Sequence, residues 1–260
     1  MFYLVSILLP PNICFCVDSY FLFFILEWQY PRYLEELAAY IQQPKFPLAF
    51  HRYLFSLHHP TQDMPHHIEQ CPTFSGKIKF FHSAVVRYYA PSDLCGIGGM
   101  HRERTCANAS WSTGCCFDTV FVALEDTGAR PMRGMLVARV FLFFSFSDRY
   151  EADIPCVLVT WFINTADEPD PDTGMWVVEP KLDPDGQCSV QVLPLDSILR
   201  VAHLLPRYGT GYLPEDFEHI YALDSFRDYY VNHFVDHHSH ELLTCSAQYQ
   251  LAALDRKSVV

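Results

Sequence analysis

The chain has 260 residues, half of them hydrophobic, with 18 basic against 30 acidic side chains and a net charge of −12. That is enough apolar chain to bury a sizeable core in one large domain or two small ones, while the acidic balance counts against a free-standing nucleic-acid binder, whose affinity comes mostly from phosphate neutralisation. Ten cysteines at irregular spacing do not make a small disulfide scaffold, and they fit reduced, buried thiols in a nuclear or cytosolic setting.

Residues 1–28 form an apolar leader whose only charges are Asp18 and Glu27. Pro10-Pro11 and the segment NICFCVDS split it, so it falls short of the roughly 20 uninterrupted apolar residues of a transmembrane helix. It also lacks the early Lys or Arg of a signal peptide. A gene-model artefact is the plainest account; an apolar packing segment and membrane insertion through residues 1–26 are the others. Residues 29–57 carry a helical pattern, with Leu34, Leu37, Ala38 and Ile41 at three- and four-residue spacing. Pro44 and Pro47 should stop that helix, and a second short one should follow at 48–57. The Pro- and His-rich stretch 58–76 has no periodicity and is expected to be a linker at a domain boundary.

From residue 77 to 245 the pattern turns to β. Runs rich in Val, Phe, Tyr and Trp at 77–90, 118–124, 135–146, 155–163, 175–180 and 188–195 alternate with turn signals. The run at 135–146 is apolar on both faces near its end, as in a central strand. The chain should close with an amphipathic helix over roughly 223–243, with Phe226, Tyr230, Val231, Phe234, Val235 and Leu242 on one side, then a polar tail at 246–260. The expected class is α+β: a β-rich antiparallel sheet or small barrel, a short helical N-terminal part and a C-terminal amphipathic helix.

Several residue groups invite chemistry. His233, His237 and Glu241 follow one another at four-residue intervals, so one helical face would offer two imidazoles and a carboxylate to Zn²⁺. The order is HxxxHxxxE, without the HExxH of metalloproteases, and packing is the plainer role. Cys95, His101, Cys106, Cys115 and Cys116 are zinc-ligand types, but they lack CxxC knuckles. CGIGG (95–99) fits a tight turn better than a phosphate loop. No GxSxG elbow exists, and of the carboxylates Asp118, Asp126, Asp167, Glu168, Asp170 and Asp172 the last four sit in a solvated turn, ADEPDPDTG. No catalytic residue and no cofactor is therefore assigned, with Zn²⁺ the ion these sets would take. Any DNA contact should fall on Lys77, Lys79, Arg87, Arg102 and Arg104, although a solvated strand-and-loop surface is the simpler account of them.

Four phrases punctuate the region from Phe81 to Glu241: FHSAVVRYYAPSDLCGIGGMHRER (81–104), PDTGMWVVEP (171–180), LDSILRVAHLLPRYG (195–209) and FRDYYVNHFVDHHSHE (226–241). In that order they resemble the C-terminal part of large proteins encoded by fungal DNA transposons of the Plavaka and Kyakuja–Dileera–Zisupton type, over well more than half of the chain. In such proteins strand transfer is attributed to an acidic, RNase H-like core upstream, and nothing here resembles that core. The resemblance implies a separated or truncated tail: a non-catalytic accessory or interaction domain contacting a transposase core or other partner protein, with charge disfavouring direct DNA binding. The rivals are a metal-binding enzyme fragment, a nuclease or transposase remnant, around His233, His237 and Glu241, and a membrane-anchored protein through residues 1–26. Where the family has Arg-x-Arg followed by Asn-Pro and Trp, this chain has RERTCANASW, so Cys106 is peculiar to it.

Overall fold

The computed structural model describes residues 21–23, 31–65, 67–90, 98–111, 114–123, 131–149 and 153–244. Its elements begin β1 (Phe21–Phe23), α1 (Leu34–Tyr40), α2 (Phe46–His58), β2 (Ile78–Phe81), β3 (Ser83–Tyr89), β4 (Met100–Trp111) and β5 (Gly114–Phe117). They continue β6 (Thr119–Ala123), β7 (Met135–Phe146), β8 (Ile154–Asn164), β9 (Trp176–Pro180), β10 (Val190–Pro194), β11 (Ile198–Val201) and β12 (Leu204–Pro206). The last are α3 (Ala222–Ser225), β13 (Tyr229–Val231) and α4 (His237–Thr244). The class is α+β and β-rich: a strongly curled antiparallel sheet in the order β11-β6-β7-β8-β9-β13-β12, and a smaller one in the order β1-β3-β4-β5.

The two longest apolar runs organise the large sheet. β7 and β8 pair along their length, with a register shift between Val140 and Leu142. On its other edge β7 takes β6 along its first half and β2 along its second. β8 likewise divides its free edge between β10 and β9. Both strands are buried on both faces. On one side Leu142, Phe144, Phe146 and Leu158 meet Phe46, Phe50 and Leu54 of α2 and Leu37 of α1. On the other, Phe143, Val157, Val159 and Trp161 meet Ala84 of β3, Ala107 of β4 and Ile198 of β11. Phe50 is fully buried and edge-on to Phe146 (4.9 Å) and Phe74 (5.1 Å). Each such ring contributes roughly 1.5–3 kcal/mol relative to its exposed state. The segment 58–76 thus lays Phe74 into the same core that the helices and the sheet share.

The structure departs from the sequence pattern at four places. The second helix starts at Phe46 rather than at residue 48, with Pro47 in its first turn, where a missing amide costs nothing. β4 and β5 form over residues 100–117, which no apolar run marks as strand. β11 forms over Ile198–Val201, beyond the last of the apolar runs. The single C-terminal helix over 223–243 is replaced by α3, β13 and α4, because Tyr229 and Val231 bury on one face at strand spacing and pair with β9 through Val178 and Trp176. Among the described residues no helix is long and apolar enough to cross a membrane. Of the apolar leader, Phe21–Phe23 pairs with β3; residues 1–20 and 24–30, and the 246–260 tail, lie outside the described residues.

Candidate functional site

The most heavily built polar site lies where β3, β4, β11 and α4 meet. Arg200 projects inward from β11 with only 2% of its surface exposed. A guanidinium buried to that degree requires charge and hydrogen-bond partners, since an unpaired buried ion costs several kcal/mol. Asp236 supplies two: Nη1 donates to Oδ1 at 3.0 Å and Nη2 to Oδ2 at 2.5 Å. Glu103 of β4 accepts a third bond from Nη2 at 2.6 Å, and Nη1 also lies 3.0 Å from His238 Nδ1. Glu103 is itself held by the Tyr88 hydroxyl (2.7 Å) and the Val201 amide (3.0 Å). The Tyr88 ring packs 4.9 Å from the guanidinium carbon and stacks on His238 at 5.1 Å and 14°, a cation–π and aromatic sandwich. Asp236 also accepts the Ser239 amide at 2.7 Å, which makes it the N-cap of α4.

The electrostatics follow from this geometry. Burial alone would raise the Asp236 carboxyl, but its bonds from Arg200 and Ser239 outweigh that and hold it down to about 2. Burial, then the adjacent Arg200 charge, pull His238 down to about 4, so near pH 7 its neutral Nδ1 accepts from Arg200. Burial, reinforced by Glu103, keeps the Tyr88 hydroxyl protonated far above its ordinary range. Both carboxylates are committed to Arg200 and to amides, and none of these shifted groups titrates near neutrality. The arrangement binds three strands and a helix together; it is not set up to move protons.

Of the basic residues singled out from sequence, three share one exposed face. Arg87 on β3 stands directly across from Arg102 on β4, with Arg104 two residues further along, and exposed Tyr89 lies on the same side as Arg87. Lys79 belongs to β2 in the other sheet, where it pairs with Asp153. Lys77 is exposed just before that strand. The five therefore divide into a three-arginine face and two lysines elsewhere.

The histidine set is spread out. α4 begins at His237, so His233 lies before the helix rather than one turn back along it. His233 is 3% exposed and its ring meets His240 at 5.2 Å, whereas His237 and Glu241 are exposed on α4. Burial lowers the affinity of His233 for a proton, and His240 adds to the effect. Among the cysteines, Cys95 and the side chain of Cys115 lie outside the described residues, and His101 stacks on Tyr88 at 6.0 Å. Cys106 and Cys116 do meet, together with Asp118: their ligand atoms all lie within 4.8 Å of one another.

A cleft of about 730 Å³ opens between the end of α2 and the β7–β8 connection, lined by Leu54, His58, Phe74, Asp148 and Arg149 among others. His58 Nε2 lies 2.6 Å from Asp148 Oδ2. Burial would raise the Asp148 carboxyl, yet the His58 hydrogen bond brings it below its usual value. The described lining includes neither Ser nor Cys, and its one hydroxyl is that of Thr73. The two residues stand 90 apart in sequence, one at the start of the expected linker and one just past β7, and no local signal joins them. No protein-family model, curated protein or solved structure matches the chain.

Proposed function

We propose that this chain is a non-catalytic accessory or interaction domain derived from a transposable element of the Plavaka and Kyakuja–Dileera–Zisupton type, acting in the nucleus or cytoplasm against a protein partner, first of all a transposase core. The observation that carries this reading is the meeting at Arg200 of three of the four phrases behind the resemblance. Tyr88 and Glu103 come from the first, Arg200 and Val201 from the third, Asp236 and His238 from the fourth. The second phrase is tied to the same end of the chain, since Trp176 Nε1 donates to the Leu243 carbonyl at 3.5 Å. Residues so distinctive are spent on a closed structural joint, and a scaffold for binding is the function that such spending suits.

The partner surface expected is basic. The net charge of −12 opposes DNA, and exposed Tyr208, Tyr212 and Leu213 are followed closely by exposed Glu215, Asp216 and Glu218. Aromatic anchors within an acidic rim suit a protein face rich in Lys and Arg. Co-expression with an RNase H-like transposase core from the same genome, followed by size-exclusion chromatography, tests this. Co-elution at about 0.1 M salt that weakens by about 0.5 M is expected for charge-assisted docking. Separate elution at both salts, with the chain alone retarding duplex DNA, would overturn the reading.

A further inference from the structure

We propose that Cys106, Cys116 and Asp118 form a binding site for a thiophilic divalent cation of the size and tetrahedral preference of Zn²⁺, with water in the fourth position. The site is made by strand register. β4 and β5 run antiparallel with Ala107 opposite Phe117. Cys106 therefore stands across from Asp118, and Cys116, two residues from Asp118, points to the same side of the ribbon. All three are half-buried, and their ligand atoms lie within 4.8 Å of one another.

Distances and charge both favour an ion. Ligands on a tetrahedral zinc with Zn–S near 2.3 Å and Zn–O near 2.0 Å stand about 3.5 Å apart for sulfur and oxygen. Cys116 Sγ and Asp118 Oδ1 are 3.6 Å apart. The other carboxylate oxygen, Oδ2, accepts the Cys106 amide at 2.6 Å, which fixes the side chain and leaves Oδ1 aimed at the thiol, as outer-shell partners of metal ligands do. Among the described residues Asp118 has no ion pair, so a half-buried carboxylate faces two thiols without a compensating cation. A bound metal would provide that charge and tie β4 to β5 at the border of the small sheet.

The test uses the full chain, purified under reducing conditions and titrated with Co²⁺ as the spectroscopic probe, then with Zn²⁺. One equivalent of Co²⁺ should give the intense d–d bands of a tetrahedral ion and a thiolate charge-transfer band, both erased by Zn²⁺. Cys106→Ser and Cys116→Ser should each remove the charge-transfer signal or cut it sharply, Asp118→Asn should weaken binding, and Cys188→Ser, at an exposed cysteine elsewhere, should change nothing. The proposal is overturned by the absence of a tetrahedral spectrum in the reduced protein, or by a spectrum that persists in both serine variants. Alkylation of the wild-type chain with iodoacetamide, mapped by mass spectrometry, settles the matter without variants. Zn²⁺ should protect Cys106 and Cys116 selectively, and equal labelling with and without metal would sink the site.

Discussion

The guanidinium of Arg200 and the carboxylate of Asp236 meet edge to edge, at 3.0 and 2.5 Å, while that carboxylate also caps the helix that carries His238. One side chain thus anchors β11 to the start of α4 and sets where α4 begins. Replacing Arg200 with Ala or Met leaves Glu103 and Asp236 facing each other without their cation, and breaking a buried pair on one side costs about 3–5 kcal/mol. Arg200→Lys should rescue little of this, because an ammonium cannot reproduce the two-point contact. Urea unfolding curves of the variants measure both losses; a loss below about 1 kcal/mol for Arg200→Ala would refute the role given to the joint.

Stability should fall with acid in two stages. His238 is held near 4 in the folded chain, against about 6.5 when unfolded. Between those values the unfolded state binds the proton and the folded state does not, so stability declines as pH drops from about 6.5 to 4 and then levels for this group, by an amount on the order of 3 kcal/mol. Asp236, held near 2, contributes stability present above its unfolded value near 4 and lost as pH falls through about 2. Thermal midpoints recorded from pH 7 to 3 for wild type and His238→Gln should show a shallower slope between 6.5 and 4 in the variant. Identical slopes would mean that His238 is not the group responsible.

Phe50→Ala should cost about 3–5 kcal/mol, the range for deleting a fully buried aromatic side chain. The ring touches Phe74, Phe144 and Phe146, so the helical pair and the sheet should unfold as one unit. Far-UV circular dichroism and tryptophan fluorescence should give coincident denaturation curves in wild type and variant. Two separated transitions would show that residues 29–57 fold apart from the rest.

On duplex DNA the chain should bind weakly and only at low salt. Whatever binding exists should reside on Arg87, Arg102 and Arg104, which share one face, and much less on Lys79, already paired with Asp153. Three phosphate contacts correspond to a log–log salt slope of about −2.7. Fluorescence anisotropy with the triple alanine variant should flatten that slope, while Lys77→Ala with Lys79→Ala should leave it nearly intact. A slope carried equally by the lysines would contradict the geometry.

What sequence pattern could reveal depended on where hydrophobicity speaks. β7 and β8 are legible because both faces are buried, which leaves continuous apolar runs. β4 is silent for the opposite reason. Its inward positions are His101, Glu103 and Thr105 and its outward ones Arg102 and Arg104, so no apolar alternation marks a strand whose buried face is polar. The arginine joint is hidden in that silence, since Glu103, Arg200 and Asp236 come together only after three strands and a helix are placed. The C-terminal stretch misleads because Phe226, Tyr230 and Phe234 fit a helical wheel, while Tyr229 and Val231 fit a strand, and pairing with β9 decides for the strand. Asp236, immediately before His237, is a visible cap residue that would have moved the helix start to its observed place. The cysteine–aspartate cluster has no spacing motif at all; the register of two short strands creates it.

The division of each central strand's edge between two partners has a consequence for how the molecule comes into being. β2 and β6 must both find β7, β10 must find β8, and β6 stays half covered until β11 emerges, after four intervening strands. Pairings this distant in sequence raise contact order, and folding on the millisecond-to-second scale is the expected cost. Until β10 and β11 arrive, β8 and β6 each keep an open hydrogen-bonding edge, ready to pair with another copy. Soluble yield should therefore depend on the pace of synthesis through residues 147–201 more than on the stability of the finished sheet.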